Sequence, residues 1–204
     1  MRNQKKERIL RILLNKESMT RYKLAKLSRC TPSWVYMFLK ELKNKGLIKD
    51  EKTIDYSNIN YKGLFELWLG IYKRPNFREY MIRAPFDILK DTKLTYAMTT
   101  YFAENMIQSY LFPLRYDIYI KNEDLDKWHS ILAGKGFYGK GNFRILISDD
   151  DAVFYKKGMF RLSIEEDTDF YMVSLPQIIV DLLYEGGPAK EAAYMLIEGH
   201  YQNV

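Results

Sequence analysis

The dipeptide Thr31-Pro32 constrains this 204-residue chain more than any other feature. A hydroxyl that can cap a helix stands directly before a proline at the first helical position, where no backbone donor is needed. Val35, Phe38, Leu39 and Leu42 follow at i, i+3, i+4 and i+7, a single apolar stripe, and Gly46 supplies a left-handed stop. The spacing predicts a helix over residues 32–45 that is buried along one side. Its other side presents Ser33, Tyr36, Met37, Lys40 and Asn44. Such a helix needs apolar partners, and two lie upstream. Residues 4–14 repeat Ile9, Leu10, Leu13 and Leu14 at helical spacing, and Thr20 can cap a short helix over 21–27. Downstream, Leu47, Ile48 and Lys49 begin a strand that Thr53, Ile54 and Asp55 return, with 50–52 as the tip. Three helices and a hairpin in this order are the parts of a winged helix-turn-helix, assigned to residues 1–57.

Charge points the same way. Residues 1–56 hold 15 Lys and Arg against 6 Asp and Glu, a surplus of nine, whereas the whole chain carries only +6. A basic head on a slightly acidic body is the footprint of a polyanion binder. A helix entering the major groove of double-stranded DNA needs an apolar back and a front mixing hydrogen-bonding groups, apolar surface and cations. Ser33, Tyr36 and Met37, in the N-terminal half, are placed for base edges; Lys40 and Lys43 are placed for phosphates, and Asn44 shares that face. Arg21, Lys23 and Lys26 on the second helix, Arg29 in the turn, and Lys49 and Lys52 on the wing add phosphate contacts. Thr31 and Trp34 complete the set at the helix start, where Trp34 either stacks on the DNA backbone or covers the domain edge. Asp50 and Glu51 at the tip weigh against a wing that inserts into a groove. A winged helix used for protein contacts is the bland alternative, and it leaves the nine surplus charges unexplained.

After Ser57 the pattern changes to a mixed α/β domain over 58–204, which makes the chain α+β. A helix at 61–73 is amphipathic through Leu64, Phe65, Leu67, Trp68 and Ile71. Strands are expected near 77–81, 94–98, 116–120, 143–147 and 152–155. Helices are expected over 85–90, 100–110, 122–133, 175–184 and 188–198. No apolar run approaches a bilayer span, and the basic start lacks the apolar segment of a signal peptide. The single cysteine, Cys30, reads as a small buried turn residue, and no Cys/His cluster exists for zinc. A cytoplasmic protein without metal or cofactor is the expectation.

Three motifs invite catalytic readings. Residues 134–141 contain G-x-G-x-x-G and nearly spell a P-loop, but Gly141 stands where Ser or Thr must hold magnesium, and the stretch leads from helix to strand. It reads as a flexible basic loop. Asp149, Asp150 and Asp151 read as a turn between strands, since adjacent residues of an extended segment point to opposite faces. His129 and His200 have no nucleophile or carboxylate at meaningful spacing.

From Tyr61 onward a series of short landmarks follows one after another. These are Leu64-Phe65-Glu66-Leu67-Trp68, Tyr96-Ala97-Met98-Thr99 with Ala103, Asp117-Ile118-Tyr119-Ile120, and Asp150 with Ala152-Val153-Phe154. Val173-Ser174-Leu175-Pro176-Gln177, Asp181-Leu182 and Glu191-Ala192-Ala193 with Leu196 close the series. In this order they resemble the AbiEi-type antitoxins, type IV toxin–antitoxin regulators that also begin with a winged helix. The resemblance implies that the second domain has a degenerate nucleotidyltransferase fold. It further implies a DNA-binding regulator, a repressor or an antitoxin acting on its own operon, with a cognate nucleotidyltransferase-type toxin as a second partner. Two departures bear on catalysis: Thr100 replaces the usual glycine, and Asp117 has Tyr119 rather than a second acid two residues on. A two-metal transfer mechanism needs at least a pair of carboxylates, so the expectation is a protein that is not an enzyme. An active nucleotidyltransferase-fold enzyme and a replication or plasmid-maintenance factor stand as alternatives, and homo-oligomerisation is left open.

Overall fold

The computed structural model describes residues 2–15, 19–49, 59–162 and 168–201, and its elements make an α+β chain. It divides into two compact units, residues 1–73 with 193–204, and residues 74–192. The sequence puts the boundary at 57/58; the units divide at 73/74, because the helix that follows residue 60 packs against the N-terminal helix.

The first unit is built from α1 (Arg2–Leu13), α2 (Arg21–Ser28), α3 (Pro32–Asn44) and α4 (Tyr61–Ile71). Local chemistry sets the helix ends. Thr20 accepts the Lys23 N–H at 3.2 Å, and Thr31 accepts the Trp34 N–H at 3.4 Å with Pro32 following it. Arg29 closes α2 in the left-handed region, φ 52°, and Gly46 follows α3 at φ 68°. Ile9, Leu10, Leu13 and Leu14 meet Leu24, Val35, Leu39 and Leu42 in a fully buried core. Beyond α3, Ile48 forms an antiparallel bridge with Ile59, and the Asn60 N–H donates to the Leu47 carbonyl at 2.9 Å. The expected wing tip and return strand, 50–55, lie outside the described residues. On α4, Trp68 is fully buried with the Arg11 guanidinium 5.3 Å above its ring. Tyr201 returns the last helix to this unit: its hydroxyl donates to the Leu14 carbonyl at 2.9 Å, and burial pushes that phenol far above its usual range.

The second unit is one mixed sheet with helices on both faces. Its strands are β1 (Phe77–Ile82), β2 (Tyr96–Thr99), β3 (Tyr116–Lys121), β4 (Gly136–Tyr138), β5 (Phe143–Ser148), β6 (Gly158–Leu162) and β7 (Thr168–Met172). They lie in the order β4-β1-β5-β3-β2-β7-β6, with β3–β5 and β2–β7 parallel and the other pairs antiparallel. The helices are α5 (Pro85–Asp91), α6 (Thr100–Gln108), α7 (Leu125–Lys135), α8 (Leu175–Glu185) and the start of α9 (Pro188–Tyr201). On one face Tyr80, Ile118, Ile120 and Ile145 pack with Ile88 and Leu89 of α5 and with Trp128 and Leu132 of α7. On the other, α8 brings Gln177 and Asp181 onto Tyr119 and Thr99.

Two expectations need correction here. The strand expected at 152–155 is a 3-10 turn, Asp151–Phe154, because the Asp150 carboxylate accepts the Ala152 N–H at 3.0 Å and caps it. The glycine-rich stretch is not a loop throughout: Gly136–Tyr138 is β4, paired antiparallel with β1. A Cβ at Gly136 or Gly141 would collide with the backbone of Met81 or Tyr80, so these glycines serve close strand approach. No described helix is long and apolar enough to cross a membrane.

Candidate nucleic-acid interface

Helix α3 carries half of the residues singled out from sequence, and its burial follows the apolar stripe. Val35, Phe38, Leu39 and Leu42 are at most 2% exposed, while Ser33, Met37, Lys40, Lys43 and Asn44 are exposed. Tyr36 sits on the α2 flank, about a third exposed, with the Arg21 guanidinium 5.4 Å above its ring. Thr31 is exposed, but its hydroxyl oxygen is already engaged in capping α3. Lys23, Lys26 and Arg29 are exposed on α2 and its turn, and Lys49 is exposed beyond α3. Lys52 lies outside the described residues. Cys30 is half-buried rather than buried, with its Sγ 3.4 Å from the Ser28 carbonyl oxygen.

The opposite flank of α3 holds residues that the sequence did not single out. Lys6 of α1 donates to both Glu41 oxygens, at 2.9 and 2.7 Å, and Lys45 approaches the same carboxylate at 3.2 Å. These lysines hold the Glu41 carboxyl below the usual carboxylate range, the Lys6 hydrogen bond foremost. The Lys6 ammonium also lies 5.1 Å over the Phe38 ring, and that of Lys5 lies 5.9 Å over Trp34. Trp34 is half-buried and tilted against Phe38 at 5.8 Å. An open cavity of about 400 Å³ lies here, walled by Trp34, Met37 and Phe38 and ringed by Lys6, Lys40, Glu41, Asn44 and Lys45. Lys6 and Glu41 are 35 residues apart, so no spacing rule could have paired them.

The second unit holds a separate polar network around Asp117. Strand register puts Thr99, Asp117, Arg144 and Glu79 in one row across β2, β3, β5 and β1. Asp117 is 1% exposed and accepts from Arg115 twice, at 2.6 and 2.9 Å, and from the Thr100 hydroxyl in a short bond. Arg144 donates to Glu79 at 2.9 and 2.7 Å and to Glu185 at 2.9 Å. Glu185 also accepts from Arg115 and from Arg74, each at 2.8 Å. Three guanidinium groups thus interleave three carboxylates, and a divalent cation at Asp117 would have to displace Arg115. Thr100 holds a left-handed φ of 53° at the start of α6. Tyr119 donates instead to Asp181 at 3.0 Å. His129 does have a partner, the Tyr80 hydroxyl at 2.8 Å, which lies 49 residues away. Among the described residues, no group of three or more His, Cys, Asp or Glu is arranged to hold a metal ion.

No protein-family model matches this chain, and no curated protein or solved structure matches it significantly.

Proposed function

We propose that the chain is a sequence-specific regulator of transcription that binds double-stranded DNA through its first unit. One observation carries this reading. Helix α3 buries an unbroken apolar stripe and turns Ser33, Met37, Lys40 and Asn44 outward, with Tyr36 and Arg21 on one flank and lysines on the other. An apolar back with a mixed, cationic front is what major-groove insertion requires. The surplus of nine positive charges in residues 1–56 supports it. We read the first unit as a winged helix-turn-helix and the second as a degenerate nucleotidyltransferase fold, after the ordered motifs shared with AbiEi-type antitoxins. On that reading the protein is a cytoplasmic repressor of its own operon, with a cognate toxin as partner. The Arg115–Asp117 pairing supports binding rather than nucleotide transfer as the task of the second unit.

The test is a titration of the full chain against duplexes from the region upstream of its own gene and against scrambled duplexes. Log affinity should fall with log salt at about −0.9 per neutralised phosphate. No binding near about 50 mM salt, or a flat salt dependence, would sink the proposal.

A further inference from the structure

We infer that the cavity between α1 and α3 is a backbone subsite that holds one deoxyribose-phosphate of the bound duplex, and that Glu41 restrains its affinity. The inference rests on the DNA-binding reading above and names what occupies that part of the surface. A helix lying in a major groove about 12 Å wide has a phosphate strand along each flank. On the α2 flank of α3 stand Arg21 and Tyr36. On the α1 flank stands the cavity, and its chemistry fits a sugar-phosphate unit. Trp34, Met37 and Phe38 supply an apolar wall for the sugar carbons. Lys6, Lys40 and Lys45 bring ammonium groups to the rim, and Asn44 adds an amide donor for a phosphate oxygen. A volume of about 400 Å³ is in the range of small-ligand sites and admits a unit of the size of one sugar-phosphate.

Glu41 is the feature that simple cation counting misses. Its carboxylate faces the same cavity, bridged by Lys6 and Lys45. The bridge engages both ammonium groups, which must leave it to meet a phosphate, and it keeps a negative charge beside the incoming anion. Glu41 therefore lowers affinity for every sequence alike, and it does not contribute to discrimination among them.

The experiment uses the full chain, a promoter-region duplex and a scrambled duplex, at several concentrations between about 50 and 200 mM salt. Glu41→Gln should tighten binding to both duplexes by about two- to fivefold, the range of one partly exposed charge interaction. Lys6→Gln, made in the Glu41→Gln background, should then reduce the salt slope by about 0.9. That background matters because Lys6 no longer has an ion pair with Glu41 to lose, which leaves only its contact with the Phe38 ring besides the phosphate. Thermal melts check that both variants remain folded, and Lys6→Arg should restore the slope. Trp34 offers a direct readout, since the other two tryptophans, Trp68 and Trp128, are fully buried. Its fluorescence should change on duplex binding, and the change should vanish in Trp34→Phe. If Glu41→Gln leaves affinity unchanged or weaker, or if the two slopes agree, the subsite is overturned while DNA binding stands. A wild-type chain that binds no duplex overturns both.

Discussion

The guanidinium of Arg21, the first residue of α2, lies 5.4 Å from the ring centroid of Tyr36 on α3. The two residues form one surface element, so each positions the other. We predict that Tyr36→Ala narrows the gap between cognate and scrambled duplex by about 1–3 kcal/mol. Arg21→Ala and Tyr36→Ala should be non-additive, since an exposed contact of this kind is worth about 0.5–1 kcal/mol. Tyr36→Phe keeps Arg21 in place and so separates the ring from the hydroxyl. Lys40→Ala should weaken both duplexes equally. Binding titrations decide: equal losses on the two duplexes in Tyr36→Ala would mean that Tyr36 does not read bases.

The same helix separates stability from recognition. Phe38 is 2% exposed beneath Trp34 and Lys6, so Phe38→Ala should destabilise the fold by about 3–5 kcal/mol. Thr31→Ala removes the cap on the Trp34 N–H and should cost about 1 kcal/mol. Denaturant unfolding measures both. A Phe38→Ala loss below that of Thr31→Ala would mean that α3 does not pack as described.

Acid should loosen the contact between α1 and α3. Lys6 and Lys45 hold the Glu41 carboxyl below its usual range in the folded chain. Its stabilisation is therefore complete above the ordinary glutamate pKa and is lost as pH falls from there through the folded value. The side chain is a third exposed, which limits the effect to about 0.2–1 kcal/mol. Melting temperatures measured between about pH 5 and 3 should fall more in the wild type than in Glu41→Gln. Parallel curves would remove Glu41 from the acid response.

Arg115 guards a buried charge. Arg115→Ala leaves Asp117 with its carboxylate poorly compensated at 1% exposure and should cost about 3–5 kcal/mol. Adding Asp117→Asn should recover part of the loss, because the poorly compensated charge, then facing the more distant Arg144 at 3.9 Å, is gone. Denaturant midpoints of the single and double variants check this, and a double variant less stable than Arg115→Ala would refute it.

With magnesium or manganese present, the protein should transfer no nucleotide to protein or RNA. Both Asp117 oxygens already accept from Arg115, and Tyr119 turns to Asp181 rather than supplying a second acid. Incorporation of labelled nucleotide that disappears in Asp117→Ala would show that a cation displaces Arg115.

Sequence alone determined the parts of this protein whose causes are local. Thr20, Thr31, Pro32 and Gly46 act within a turn of the helix ends they specify, and the stripe from Val35 to Leu42 names its own buried face. The strands β1, β3 and β5 also fall where the sequence pattern puts them. Residues 151–154 misled, because a side-chain cap from Asp150 outweighs a short run with strand character. β4 was hidden, since a glycine and the two residues after it become a strand only when β1 lies alongside. Tertiary structure alone decided the pairings: Lys6 with Glu41 across 35 residues, and Arg115 with Glu185 across 70. The distinction is physical. Capping and amphipathic burial act between neighbours on the chain, whereas an ion pair depends on which surfaces the fold brings together, and no spacing in the sequence encodes that meeting.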